Sequence, residues 1–562
     1  MSALRSFQQL NPGTVPGGVV QVPRSYQPDV DRALMEANAR EFEFPASSGT
    51  FQETQTSQIM IPQAMNRYIL GGSLYLQFSL DITGTKTAAE GQNSLIYFTG
   101  GPTKSAAALI DRITISSSGG AILADIQNYA NWHNLVLAHS SNVGYKHDAS
   151  ILEYAYTGVG MFMKADATVT HKVDISLPIS IGLFNQVKAF PLWACNGPLV
   201  INIVWAPNVN CLGMCDIQEG TFIQATELDN VVSTSASTFS ITPLTGLFAP
   251  KIVVPSQTVQ DQTSTSSAPT STFSLKYSGN SLVVRCMCSD VDSEYVAEQR
   301  AQMAQGKLLT YHYEDVRSMQ TNSGGASINF GINCSSLISV FGLQQMAADR
   351  AVIGAVPTAT SYGQDCTGSW GWSQNLVQNI RVFRDGTQLS TFPLLQSGKD
   401  DAFAPLQSAL GILFSTSNST QCMRYDGKRM APGKADNARN ARQTNDSYTQ
   451  GTPAVTTYIN LSTSFDLPPA WACTKAGFSA TTDKHYGGGS IFAPHAFCWG
   501  LSARKCNDAD ISNPGSAVSQ LQVTVDGNVG GGTSNSASVH YIYYVYHASA
   551  SFDISGNVAV RR

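Results

Sequence analysis

Charged side chains are scarce: Asp, Glu, Lys and Arg make up 13% of the 562 residues, about half the usual quarter. The net charge of −5 at pH 7 argues against a surface that coats nucleic acid. No apolar run approaches the roughly 18 residues of a membrane-spanning helix. The first residues, MSALRSFQQLNPG, also lack the apolar core of a signal peptide. Synthesis and assembly inside a cell are therefore expected. The 11 cysteines are odd in number and have no framework spacing, which points to reduced, buried thiols rather than a disulfide scaffold. Without secretion, the Asn-x-Ser/Thr matches at Asn333, Asn418, Asn445 and Asn460 carry no glycosylation meaning. Also missing are G-x-S-x-G, H-E-x-x-H and a P-loop, so no recognisable hydrolase or nucleotide-binding motif is present.

A hydrophobic fraction of 43% is ample for large cores, and the pattern is strand after strand. In Arg67–Ile82, Leu74, Leu76, Phe78, Leu80 and Ile82 share one face. Leu109–Ile115 turns at Gly119-Gly120 into Ala121–Leu123 and leads to a helix candidate carrying Ile126, Tyr129, His133 and Val136 or Leu137 on one stripe. Asp174–Pro178 and Leu199–Trp205 are further strands around a Pro-punctuated loop. Val232–Thr272 and the basic stretch Arg424–Gln450 read as long loops. Asn375–Leu389 repeats the Ala108–Leu123 passage about 270 positions later, as a duplicated unit would.

Between the halves lies Asn280–Gln320. It opens as a strand in which Leu282, Val284, Cys286 and Cys288 alternate with Ser281, Val283, Arg285 and Met287. A helix follows, started by Asp290 or Ser293 and stopped at Gly306. Residues 1–50 hold Pro12, Pro16, Pro23, Pro28 and Pro45, one helix candidate over Val30–Phe42 and a balance of charges. They read as an extended arm.

The run Asp290–Arg300, with Ser327–Asn333 and Leu337–Gln344 after it, resembles the join between the two barrels of double-jelly-roll major capsid proteins of double-stranded DNA viruses. Phe465–Pro468, Phe497–Lys505, Asp510–Gly515, Leu521–Val525 and the Tyr-rich Val539–His547 resemble the end of the second barrel in that lineage. The resemblance implies an all-β chain of two tandem eight-stranded jelly-roll sandwiches with short helices in the connections. The expected division is an arm at 1–50, a first jelly-roll at 51–290, a connecting helix and linker at 291–326, and a second jelly-roll at 327–562. It further implies a major capsid protein that trimerises into pseudo-hexameric capsomers of an icosahedral shell, placed near virophage, polinton-like or large DNA viruses. Its partners would be copies of itself, penton and minor capsid proteins. The arm is the candidate for contact with an internal membrane or the genome, with no specific nucleic-acid sequence. A spike or receptor-binding β-sandwich protein and, behind it, a carbohydrate-active enzyme are the alternatives.

Residues with latent chemistry are few. Cys211 and Cys215 with Cys286 and Cys288 have C-x3-C and C-x-C spacings that do not make a zinc knuckle. His147-Asp148, His312 with Glu314, and His495 lie near acids or in loops, with no nucleophile in a recognisable setting. Gly530–Gly532 lack the Lys and helix of a phosphate cradle. Tyr541 and Tyr543 should face one side of a strand and Tyr544 and Tyr546 the other, as packing residues. No catalytic residue, cofactor or metal site is expected.

Overall fold

The computed structural model describes residues 37–87, 93–98, 101, 103, 105–141, 143–155, 161–163, 167–186, 188–217, 258–260, 270–321, 327–346, 372, 377–394, 400–411, 497–504, 515–527 and 538–562. Among the described residues, eight strands carry the two main sheets of the first half, beside short strands and a small third sheet of Asn93–Phe98, Met161–Met163 and Leu212–Ile217: β1 Ala37–Pro45, β2 Thr56–Ile61, β3 Tyr75–Thr87, β4 Ile110–Ser117, β5 Ile122–Gln127, β6 Ala167–Pro178, β7 Leu199–Trp205 and β8 Thr270–Val291. These eight form two antiparallel sheets, ordered β1-β8-β3-β6 and β2-β7-β4-β5. Each sheet mixes early and late strands, which is the double Greek key of a jelly-roll.

Alternation drives the packing. Leu76, Phe78, Leu80 and Ile82 of β3 and Leu199, Ile201, Ile203 and Trp205 of β7 all point inward and are buried. Phe51 stacks on Trp205 at 3.7 Å and meets Phe78 edge-on. The Phe51 ring fits only because position 279 is glycine, where a Cβ would lie 1.9 Å from Phe51 Cζ. A bulge at Ser281, whose φ is +55°, shifts the β8 register and changes the buried set from Leu275 and Tyr277 to Leu282, Val284, Cys286 and Cys288.

The second half repeats the plan with β9 Leu309–Thr321, β10 Ser327–Met346, β11 Val377–Arg384, β12 Thr387–Gln388, β13 Cys498–Ser502, β14 Ser516–Gly527 and β15 Ser538–Phe552. Here β10 does the work of two strands. Its first part pairs with β14, which continues to β11 and β12. Register breaks at Cys334 and Leu337 then carry its second part between β15 and β13, with β9 beyond β15. The orders β9-β15-β10-β13 and β10-β14-β11-β12 match those of the first half position for position. The fold is two tandem jelly-rolls.

The repeated passage seen in the sequence is real structure. The β4–β5 hairpin turns at Gly119-Gly120 and runs into helix α1, Tyr129–His139, which α2, Val143–Leu152, follows. The β11–β12 hairpin turns at Asp385-Gly386, both at positive φ as a type I′ turn requires, and helix α4, Asp400–Ala409, comes next. Between the barrels lies α3, Ser293–Ala304. The Asp292 carboxylate caps it by accepting from Glu294 N at 3.1 Å, and Gly306 at φ +85° closes it. No described helix is long and apolar enough to cross a membrane.

Several expectations need correction. The arm expected over 1–50 is too long, because Ala37–Pro45 pairs residue for residue with Val283–Val291, and the helix candidate Val30–Phe42 is strand from Ala37 onward. Phe42 and Phe44, two apart, pack the sheet while Glu41 and Glu43 face out, which is strand spacing. The linker expected at 291–326 contains β9, a full strand of the second barrel, so that barrel begins at Leu309. Ile126 lies in β5 rather than on the helix that starts at Tyr129. Thr258–Gln260 and Thr270–Thr272, expected as loop, are strand; the rest of Val232–Thr272 and all of Arg424–Gln450 lie outside the described residues.

Candidate functional site

The most elaborate local chemistry lies where the two barrels meet. Among the described residues strand β5 pairs only with β4, and an uncovered edge strand is a template for wrong pairing. Side chains of the second barrel cover it. Arg562 Nη2 donates to Ile122 O at 3.1 Å, and Tyr313 Oη to Leu123 O at 2.7 Å. Ser318 Oγ donates to Gln127 O at 2.6 Å, and Tyr543 Oη to Asn128 O at 2.9 Å. Nearby, Tyr311 Oη shares its one proton between Leu183 O at 3.0 Å and Lys188 O at 3.1 Å. Burial pushes the Tyr311 hydroxyl up to about 12 and Tyr313 further, so both remain neutral donors.

Apolar rings fill the rest of the seam. Phe190 meets Tyr311 and Phe552 edge-on, and Trp132 of α1 packs on Phe341 and Tyr543. Trp372, fully buried, donates to Asn131 Oδ1 at 3.3 Å. A single apolar cluster runs through both barrels. At Gly182 the backbones come so close that a Cβ would lie 1.8 Å from Glu314 O.

Behind the seam is a buried polar chain that sequence reasoning missed. Ser180 Oγ lies 2.9 Å from His133 Nδ1, and His133 Nε2 lies 2.7 Å from Glu153 Oε2. The order Ser–His–Glu is that of a hydrolase triad, but the surroundings are those of a clamp. His133 and Glu153 are sealed from solvent at 2% and 0% exposure. Glu153 also accepts from Ser105 Oγ and Tyr145 Oη. Ser180 is held at both backbone groups, its N–H donating to Tyr129 Oη and its carbonyl accepting from Trp132 Nε1. The chain ties α1, α2 and the loop after β6 together. The only sequence signal was His133 on the apolar stripe of α1; its partners lie 20 and 47 residues away.

The other candidates scatter. Cys211, Cys286 and Cys288 are free, buried thiols. Cys286 and Cys288 lie side by side on β8 with sulfurs 3.6 Å apart; this contact, then burial, pushes the Cys286 thiol up. Among the described residues no three His, Cys, Asp or Glu side chains are grouped to hold a metal ion. Asp148 is exposed on α2. The side chains of His147 and Cys215, together with His495 and Gly530–Gly532, lie outside the described residues. His312 and Glu314 sit on β9 beside the seam. All four tyrosines of β15 are buried; Tyr543 serves the seam, while Tyr546 donates to the buried Asp315.

No protein-family model and no curated protein matches the sequence. Among solved structures, the Faustovirus major capsid protein is similar over 98% of this chain and 96% of its own, at 7% identity and a TM-score of 0.44. The mavirus major capsid protein covers the same shares at 9% identity and 0.43. The Sputnik virophage structure covers 93% and 88% at 10% identity and 0.46. At such scores the similarity carries no argument by itself, and the fold rests on the strand orders above.

Proposed function

We propose that this chain is a major capsid protein, whose task is assembly rather than catalysis. The observation that carries the reading is the repeated jelly-roll order in one chain, with a seam that locks the two barrels into one block. Three such blocks closing a ring would present six barrels, a pseudo-hexameric capsomer able to fill a six-neighbour position in an icosahedral shell around double-stranded DNA. The low charge content supports it, because broad sandwich flanks with few charges need burial between subunits. On this reading the protein resides in the virion and meets neighbouring capsomers, penton and minor capsid proteins. The segment before Ala37 is the part available for contact with an internal membrane or the genome. No cofactor or metal takes part.

Light scattering after gel filtration tests the reading. A mass near three times 60.1 kDa is expected, with protease trimming residues ahead of β1 while the barrels resist. A well-behaved monomer at micromolar concentration would count against it.

A further inference from the structure

We propose that the seam is an acid-sensitive joint, in which protonation of the His312–His547 pair drives the loop carrying Lys188 away from the second barrel. The two imidazoles stack with centroids 5.3 Å apart and planes 24° from parallel. His312 is on β9 and His547 on β15, and both are half-buried. The joint is local: Tyr311, next to His312, holds Leu183 O and Lys188 O, and Gly182 presses on the backbone of Glu314.

The charged groups around the pair are mostly of one sign. Lys188 acts on both rings from the first barrel. Arg561 stands opposite Ser549, two residues from His547 on the same sheet face. Arg504 lies across β9, bonded to Glu314 at 3.1 Å. Glu314, opposite His547 in the β9–β15 register, is the one carboxylate among them and is already engaged by Arg504. His312 Nδ1 is buried with no hydrogen-bond partner among the described residues, so a proton placed there finds no acceptor. Burial first, then Lys188, hold His312 below its ordinary pKa; burial, His312 and Lys188 do the same to His547. A seam that opens relieves the burial and the Lys188 repulsion, while the two rings stay together on the β9–β15 ladder, so protons favour the open form. The inference concerns the single chain and does not rest on the capsid reading.

The test is hydrogen exchange of the full chain between pH 7.5 and 5, corrected for intrinsic rates. Peptides covering residues 309–316 and 179–190 should lose protection in acid, by up to about tenfold for each pKa unit by which the rings lie below their open-form values. The core strand β7 serves as the reference for global unfolding. In the His312→Gln/His547→Gln double variant the local loss should disappear. Lys188→Gln, at an exposed side chain that cannot impair folding through packing, should raise the pair's pKa values in NMR titration and shrink the loss. Equal protection of the two peptides at both pH values would overturn the proposal, as would an unchanged acid response in either variant.

Discussion

A single hydroxyl can carry as much weight here as a large side chain. Tyr313 is 1% exposed and its Oη is the partner that the seam provides for Leu123 O. Tyr313→Phe keeps the ring but orphans that carbonyl, so a loss of about 1–3 kcal/mol is expected in urea unfolding. Buried titrating groups add a pH dependence of mixed sign. Burial lowers His540 to about 4, so between pH 6.5 and 4 the unfolded chain binds the proton and the folded one does not. Stability is therefore lost as pH falls through that window, by on the order of 3 kcal/mol. Asp315, raised by burial to about 6, works oppositely: its folded form takes the proton first, and its contribution is present at low pH and lost as pH rises to about 6. Urea titrations from pH 7.5 to 4.5 should show His540→Gln flattening the acid loss and Asp315→Asn steepening it. An unchanged slope in both would refute the assignment.

Elements differ in how openly their residues declare them. Helix α3 is legible from its acidic first turn and its closing glycine, which are local, although the cap is Asp292 rather than the expected Asp290 or Ser293. Asp292→Ala should cost about 1 kcal/mol in thermal or urea unfolding through the lost cap. Strand β8 was only half legible. Its even-numbered apolar positions after Ser281 read as a strand, but the odd-numbered ones before it have the opposite phase, and the bulge that joins them is a tertiary choice at a position of positive φ. Strand β9 reads as linker in the sequence because it hides its inward face under polar atoms: Tyr311, Tyr313 and Asp315 are buried, and each has a hydrogen-bond partner elsewhere in the fold. Strand β1 reads as part of an arm because its partner lies more than 230 positions away.

For the whole molecule, the question is whether two barrels behave as one body. The close approach at Gly182 makes this testable with one methyl group. Gly182→Ala must push Glu314 O and its strand away, since neither atom belongs to a flexible side chain. A loss of about 1–3 kcal/mol is expected, with faster exchange of β9 and of the loop after β6 while β7 stays protected. If exchange rises equally everywhere, the seam is inseparable from the cores. If the variant is as stable as the parent, the contact is not a tight one.

By itself the sequence determined the all-β class, the division into two related halves, the join at α3 and the inward faces of β3, β7 and the second part of β8. Each of these follows from short-range periodicity and turn chemistry. Only the tertiary structure decided which strands neighbour which, that β10 serves two sheets, and that Ser180, His133 and Glu153 form a sealed clamp. The seam was likewise out of reach, because it is made by tyrosine hydroxyls meeting backbone carbonyls. A carbonyl is present at every residue and leaves no mark in the sequence, so which ones need a partner emerges only once an edge strand has been left open.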